Sequence, residues 1–227
     1  MADVAKRGSI DQEAVLDAAL TVARRVGLDK LSMRMVADEL GVTPMAAYRH
    51  VADRNTLVSL VADRLAASVV VPDPDSGTWE ERLRALERDA FRMGTEVPGQ
   101  PDTTVVTWGP SHRKIVDGLL AIFKDAGFDD TDTAIAFEVT WAYFIGQVRI
   151  HQHLVARREG DIEGSTSNAY PVLARVVDRA PPVSPEEHFE RGLDILIAGL
   201  RDRLERKQAV TASANGSGSV RPARSKT

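Results

Sequence analysis

Apolar residues recur three and four apart along almost the whole of this 227-residue chain, and no stretch alternates with the period of two that a half-buried strand requires. That spacing confines the chain to an all-α fold. Residues 11–26 carry one stripe, Val15, Ala18, Ala19, Val22 and Val26, opened by Asp11 and stopped by Gly27. Ser32 caps a short helix to Leu40, with Met35, Val36, Ala37 and Leu40 expected inward. Gly41 turns the chain, Thr43 caps and Pro44 opens a third helix ending near Val51. A fourth starts at Asp53 or Asn55 and runs to about Val70. The breaker cluster "VPDPDSGTW", residues 71–79, marks the domain boundary. Beyond it helices are expected over about 79–97, 110–126, 131–158, 170–178 and 184–207. They are separated by "PGQPD", Gly127, "EGDIEGSTSN" and "PPVSP". Residues 208–227 are Ala/Ser/Gly-rich and basic and read as a disordered tail. The expected organisation is therefore 1–70, 71–207 and 208–227.

Composition narrows the function classes. A hydrophobic content of 43% supports a sizeable core, and the absence of cysteine removes disulfide frameworks and thiolate metal sites. The N-terminal residues lack the apolar region of a signal peptide. The longest apolar run, residues 134–150, is interrupted by Glu138, Gln147 and Arg149 and is too polar to span a bilayer. A cytoplasmic protein with no membrane partner is the expectation. The net charge of −4 is unevenly spread. Residues 1–65 hold nine basic and nine acidic side chains, residues 66–205 fifteen and twenty-four, and residues 206–227 five and none. An acidic second part can thus hide a local basic surface in the first.

Residues 32–51 read helix, glycine turn, capped helix, which is the grammar of a helix-turn-helix. The second helix is too short to persist alone. Docked through Ala47 and Val51, it leaves Pro44, Met45, Ala46, Tyr48, Arg49 and His50 largely outward. Such residues suit duplex DNA. Tyr48 and His50 donate to phosphate oxygens, and Pro44, Met45 and Ala46 offer apolar surface to thymine methyls. Arg34 can clamp guanine in bidentate fashion, and Arg54 can reach the phosphate backbone. The same pattern occurs in purely structural helical bundles, where Tyr48 would be an amphipathic core residue and His50 a solvated one.

"LSMRMVADELGVTPMAAYRHVADRNTLVSLV", residues 31–61, resembles the DNA-binding domain of the tetracycline-repressor (TetR) family of bacterial transcription factors. The likeness rests on Tyr48-Arg49-His50-Val51 followed by Arg54. "GTWEERLRAL", 77–86, and "DAGFDDTDTAIAF", 125–137, resemble that family's ligand-binding and dimerisation domain. The resemblance implies an N-terminal three-helix DNA reader joined by a linking helix to a C-terminal helical domain. It places Arg34, Pro44, Met45 and Ala46 toward bases and Tyr48, His50 and Arg54 toward the phosphate backbone, with Thr43 and Arg49 completing the DNA-binding set. It implies a homodimer on a palindromic operator, released by a small hydrophobic effector.

In the second part, aromatics cluster on the middle helices. Phe91, Trp108, His112, Phe123, Phe137, Trp141, Phe144 and Gln147 are the candidate pocket residues, with Arg149, His151 and His153 close in sequence. The last helix carries an apolar stripe, Phe189, Leu193, Leu196, Ile197, Leu200 and Leu204. It is assigned to a dimer interface in preference to the closing of its own subunit's core, mostly on the resemblance. His151 and His153 point to different faces of a helix, so no metal site is expected. "DDTDT", 129–133, lacks the glycine and terminal glutamate of a calcium loop and is better read as helix capping. No G-x-S-x-G, phosphate-loop or dinucleotide turn occurs. No cofactor and no enzymatic activity are expected. The alternative reading is a small helical enzyme or binding protein for a hydrophobic molecule.

Overall fold

Local capping chemistry sets where most of the helices begin and end. In a computed structural model, residues 10–99, 108–156, 170–179 and 183–216 are described; the region is helical, with no strand among them. Helix α1 (Gln12–Val26) opens with Asp11, whose carboxylate accepts from Ala14 N at 2.8 Å, and closes at Gly27. Helix α2 (Met33–Leu40) is capped by the Ser32 hydroxyl and ends at Gly41 in the left-handed region, φ 67°. Helix α3 (Pro44–Tyr48) follows Thr43, and α4 (Arg54–Ala66) is capped by Asp53, which accepts from Thr56 N at 2.7 Å. Helix α5 (Trp79–Glu96) starts with a reciprocal Thr78–Glu81 capping box. Then come α6 (Pro110–Ala126), α7 (Asp130–Ala156), α8 (Pro171–Arg179) and α9 (Pro185–Gly216).

Several expected boundaries differ. Helix α3 stops at Tyr48, where His50 N tightens to the Ala47 carbonyl three residues back at 3.0 Å. Helix α4 ends at Ala66, four residues early, where the Ser68 hydroxyl takes the Leu65 carbonyl at 2.7 Å. Met35 is exposed and Met33 takes the inward place expected of it. Residues 208–216, read as disordered, continue α9. Extending an existing helix costs no nucleation, and Ala209 and Ala212 favour it. Residues 217–227, the rest of the expected tail, lie outside the described residues.

Two cores result. The first gathers α1 to α4 around Val22, Leu31, Val36, Ala47, Leu57 and Val61. The second gathers α5, α6, α7 and α9 around Leu83, Leu86, Phe123, Phe144, Val148, Phe189 and Leu193. The apolar stripe of α9 is spent there. Phe189, Leu193, Ile197, Leu200 and Leu204 are buried inside their own subunit and Leu196 is half-buried, which overturns their assignment to a dimer interface. A stripe shows that a helix face is covered, and here α5 and α7 cover it.

Polar contacts tie the two cores together and close the first upon itself. Leu28 N donates to Pro98 O at 2.9 Å and Arg24 pairs with Glu96 at 2.6 Å, joining α1 to the end of α5. Arg64 of α4 pairs with Glu13 and with Asp17 (3.0 Å) of α1. The connecting segment is pinned by buried Arg82, which donates to Pro74 O and to Asp125 Oδ2, each at 2.9 Å.

Candidate functional site

Helix α3 has five residues and survives because tertiary contacts hold it. Ala47 and Val51 are buried in the first core, and Val42 N donates to Ala37 O at 2.9 Å, locking α3 against α2. That docking fixes the opposite face outward. Met45 is 71% exposed and Tyr48 44%; Thr43, Pro44 and Arg49 are exposed, and Ala46 and His50 half-buried. The Thr43 hydroxyl makes no capping bond to its own helix. Arg34 is exposed on α2 and, like Arg49, has no ion-pair partner among the described residues. The face thus shows two unpaired guanidinium groups, a phenol, an imidazole and small apolar surface.

Arg54 is placed differently. Its Nε donates to Leu31 O at 2.7 Å, and one η-nitrogen reaches Asp29 O at 2.6 Å and Leu28 O at 3.3 Å. The guanidinium satisfies carbonyls between α1 and α2 and holds that turn to α4, a structural role that the sequence did not reveal, while the residue itself stays exposed.

The second feature is an apolar cavity with about 90 Å³ of free space. Its walls come from α4 (Ala62, Leu65), α5 (Glu87, Ala90, Met93, Gly94), α6 with Trp108 two residues ahead of it (His112, Ile115, Val116, Leu119) and α7 (Phe137, Trp141, Phe144, Ile145), with Leu28 and Val97. The aromatic wall is continuous. Ring centroids are 5.4 Å apart for Trp108–Trp141, 6.3 Å for Phe137–Trp141 and 5.6 Å for Trp141–Phe144. Five expected pocket residues, Trp108, His112, Phe137, Trp141 and Phe144, therefore converge on it.

Three others do not. Phe91 stacks on Phe189 at 4.2 Å and meets His151 edge-on at 5.5 Å. Phe123 is sealed in the second core against Phe128, and Gln147 falls outside the lining. Each lies on a helix that does line the cavity, but Phe91 and Phe123 sit on faces committed to other rings. The side chain of His153 lies outside the described residues.

Sequence reasoning missed Glu87. It occupies the apolar face of α5 marked by Leu83, Ala90 and Gly94, so the signal was an acid at a core position of a helical stripe. Glu87 is 4% exposed and its Oε2 has no hydrogen-bond partner among the described residues. Burial pushes its carboxyl up to about 8. The nearby Tyr143 phenol, pushed up to about 12 by burial and by Glu87, gives its proton to Phe189 O at 2.5 Å rather than to the acid.

The cavity is wired to the DNA reader through α4. Asp63, between the lining residues Ala62 and Leu65, accepts from Ser111 N at 3.0 Å, the Ser111 hydroxyl at 3.1 Å, His112 N at 3.2 Å and His112 Nδ1 at 3.3 Å. Burial works against its charge, but these donors outweigh it and hold the carboxyl below the usual aspartate range. A carboxylate only accepts, so Nδ1 carries the proton of that bond. Gly109 permits the approach: a Cβ there would stand 2.3 Å from the Asp63 carboxyl carbon.

Comparison with known proteins is consistent across the length of the chain. Residues 15–61 match the bacterial regulatory proteins of the tetR family, and residues 71–204 match the tetracyclin repressor-like C-terminal domain. The chain belongs to the TetR family. As such it is a helix-turn-helix transcriptional regulator. Among its relatives is the HTH-type transcriptional repressor DrrR1 of Streptomyces coeruleorubidus, 27% identical over 88% of this chain and 80% of that protein. Another is the class A tetracycline repressor of Escherichia coli, 26% identical over 86% and 92%. Among solved structures, the Streptomyces coelicolor TetR family protein ActR in complex with actinorhodin shares the fold, with a TM-score of 0.73 and 24% identity over 87% of this chain and 99% of that one. A possible TetR family regulator of Streptomyces coelicolor A3(2) has a TM-score of 0.70 at 26% identity over 85% and 99%. No described helix is long and apolar enough to cross a membrane.

Proposed function

We propose that the chain acts as a homodimeric repressor that grips a palindromic operator and lets go when a hydrophobic effector fills the cavity. The observation that carries this reading is the shared wall: α4 supports the DNA reader on one side and lines the cavity on the other. The free space of about 90 Å³ is well below the roughly 300 Å³ of an ordinary small-molecule pocket. A drug-sized effector enters only by moving the walls apart, and α4 and the start of α6 are two of them. Displacing α4 tilts the recognition helix relative to its mate. The effector therefore binds the separated arrangement more tightly, which is the differential affinity that a population shift requires.

Arg34, Pro44, Met45 and Ala46 read base edges, and Thr43, Tyr48, Arg49 and His50 hold phosphates. Two half-sites about 34 Å apart, or a larger multiple, follow from two-fold symmetry. The dimer uses the outward faces of α7 and α9. Ile135, Val139 and Ile150 on α7 and Ile195 on α9, 75% exposed, remain uncovered, and Gly146 and Gly199 have open space before them. Small residues between exposed branched ones let two helix pairs approach closely.

The test is a fluorescence-anisotropy titration of the DNA upstream of the gene, with and without saturating effector. Operator affinity should fall on effector addition. Equal affinity in both arms would overturn the reading.

A further inference from the structure

The cavity holds one feature that a purely hydrophobic effector would leave unanswered. Glu87 is almost fully buried, its Oε2 meets no donor among the described residues, and it borders the cavity. A buried polar atom without a partner costs free energy that a bound group can recover. Among the described residues no lysine or arginine lines the cavity to balance an anion. The other ionisable lining side chain, His112, spends its Nδ1 proton on Asp63 and in its neutral form offers only an accepting Nε2. The walls are rings: Trp108 and Trp141 lie 5.4 Å apart, Phe137 is stacked on Trp141 at 16°, and Phe144 follows. Aromatic faces attract cations, most strongly where water is excluded.

Resting on the reading of this cavity as the effector site, we propose that it selects flat aromatic molecules bearing one cationic nitrogen, which pairs with Glu87 among the tryptophan rings. When such a molecule binds, its N–H⁺ donates to Oε2, and a protonated Glu87 gives up its proton to solvent. The pair in the cavity is then neutral, as a buried charge requires. A neutral compound of the same outline gains the ring contacts and at most a neutral hydrogen bond from protonated Glu87. An anionic one meets Glu87 unfavourably.

The test uses the full chain, its tryptophan fluorescence and three compounds of one ring system at about pH 8: 9-aminoacridine as the cation, acridine as the neutral form and acridine-9-carboxylate as the anion. The expected order is cation, then neutral, then anion, with the cation preferred over acridine by about tenfold or more. In Glu87→Gln, acridine should bind as before and the cation's advantage should vanish. Circular dichroism and operator binding establish that the variant is folded. Equal affinity for cation and neutral compound, or a preference that survives Glu87→Gln, would overturn the inference and leave the effector cavity standing. If none of the three binds, the cavity reading falls with it.

Discussion

Replacing Glu87 by glutamine keeps the outline of the side chain and removes its proton equilibrium. In the folded protein the carboxyl is pushed up to about 8 from 4.5, through burial alone. His112 on α6 and Tyr143 on α7 are the titratable groups near it, and the Tyr143 phenol holds its own proton to about 12. Below about pH 4.5 folded and unfolded chains both carry the Glu87 proton, and the shift costs nothing. As pH rises the unfolded chain releases that proton while the folded one keeps it. Stability falls by about 1.4 kcal/mol per pH unit until the folded group ionises near pH 8. At about pH 7.5, three units above the unfolded value, the cost has grown to about 4 kcal/mol. Glutamine carries no such term. Its amide adds an unpaired donor costing about 1–2 kcal/mol at every pH, so the slope and not the offset is diagnostic. Urea unfolding of both proteins at pH 5, 6, 7 and 8 reads the difference. Glu87→Gln should gain on the parent at each step. A difference flat with pH would mean that the carboxylate is hydrated or paired in solution, and the reasoning from burial would fail.

Arg34→Ala should weaken operator binding by about 1–3 kcal/mol and relax preference at one base pair, whereas Tyr48→Ala should weaken all sequences alike; anisotropy with a panel of single-base operator variants separates the two. Arg54→Ala removes three bonds to carbonyls and should lower the stability of the folded chain by about 2–3 kcal/mol in thermal unfolding, with DNA affinity per folded molecule little changed. Gly109→Ala drives a methyl into the Asp63 carboxylate and should loosen α4 from α6, so that effector still binds but shifts operator affinity less. Gly199→Arg points into open space in one subunit and into the partner in a dimer, so light scattering should find a folded monomer.

The reader end of the molecule was legible because its determinants are local. Asp11, Ser32 and Asp53 cap the helices that follow them, Gly41 takes the left-handed turn, and Pro44 opens α3. The spacing of Ala47 and Val51 then decides which side of α3 faces out. The middle helices were legible only in part. Phe137, Trp141 and Phe144 share a face and do line one wall, but Phe91 and Phe123 satisfy the same periodicity and are turned to Phe189 and Phe128.

Spacing along one helix fixes which residues lie together, and that is as far as sequence alone reached: helices, most of their starts, and the outward face of α3. What each face meets depends on segments far away in the chain. Only the tertiary structure decided that the α9 stripe closes against α5 and α7, that Arg54 serves carbonyls 23 to 26 residues before it, and that Glu87 ends in the cavity wall with an Oε2 that meets no donor among the described residues. A helix repeats every 3.6 residues whatever surrounds it, while the choice between core, partner and cavity is made by packing between distant elements.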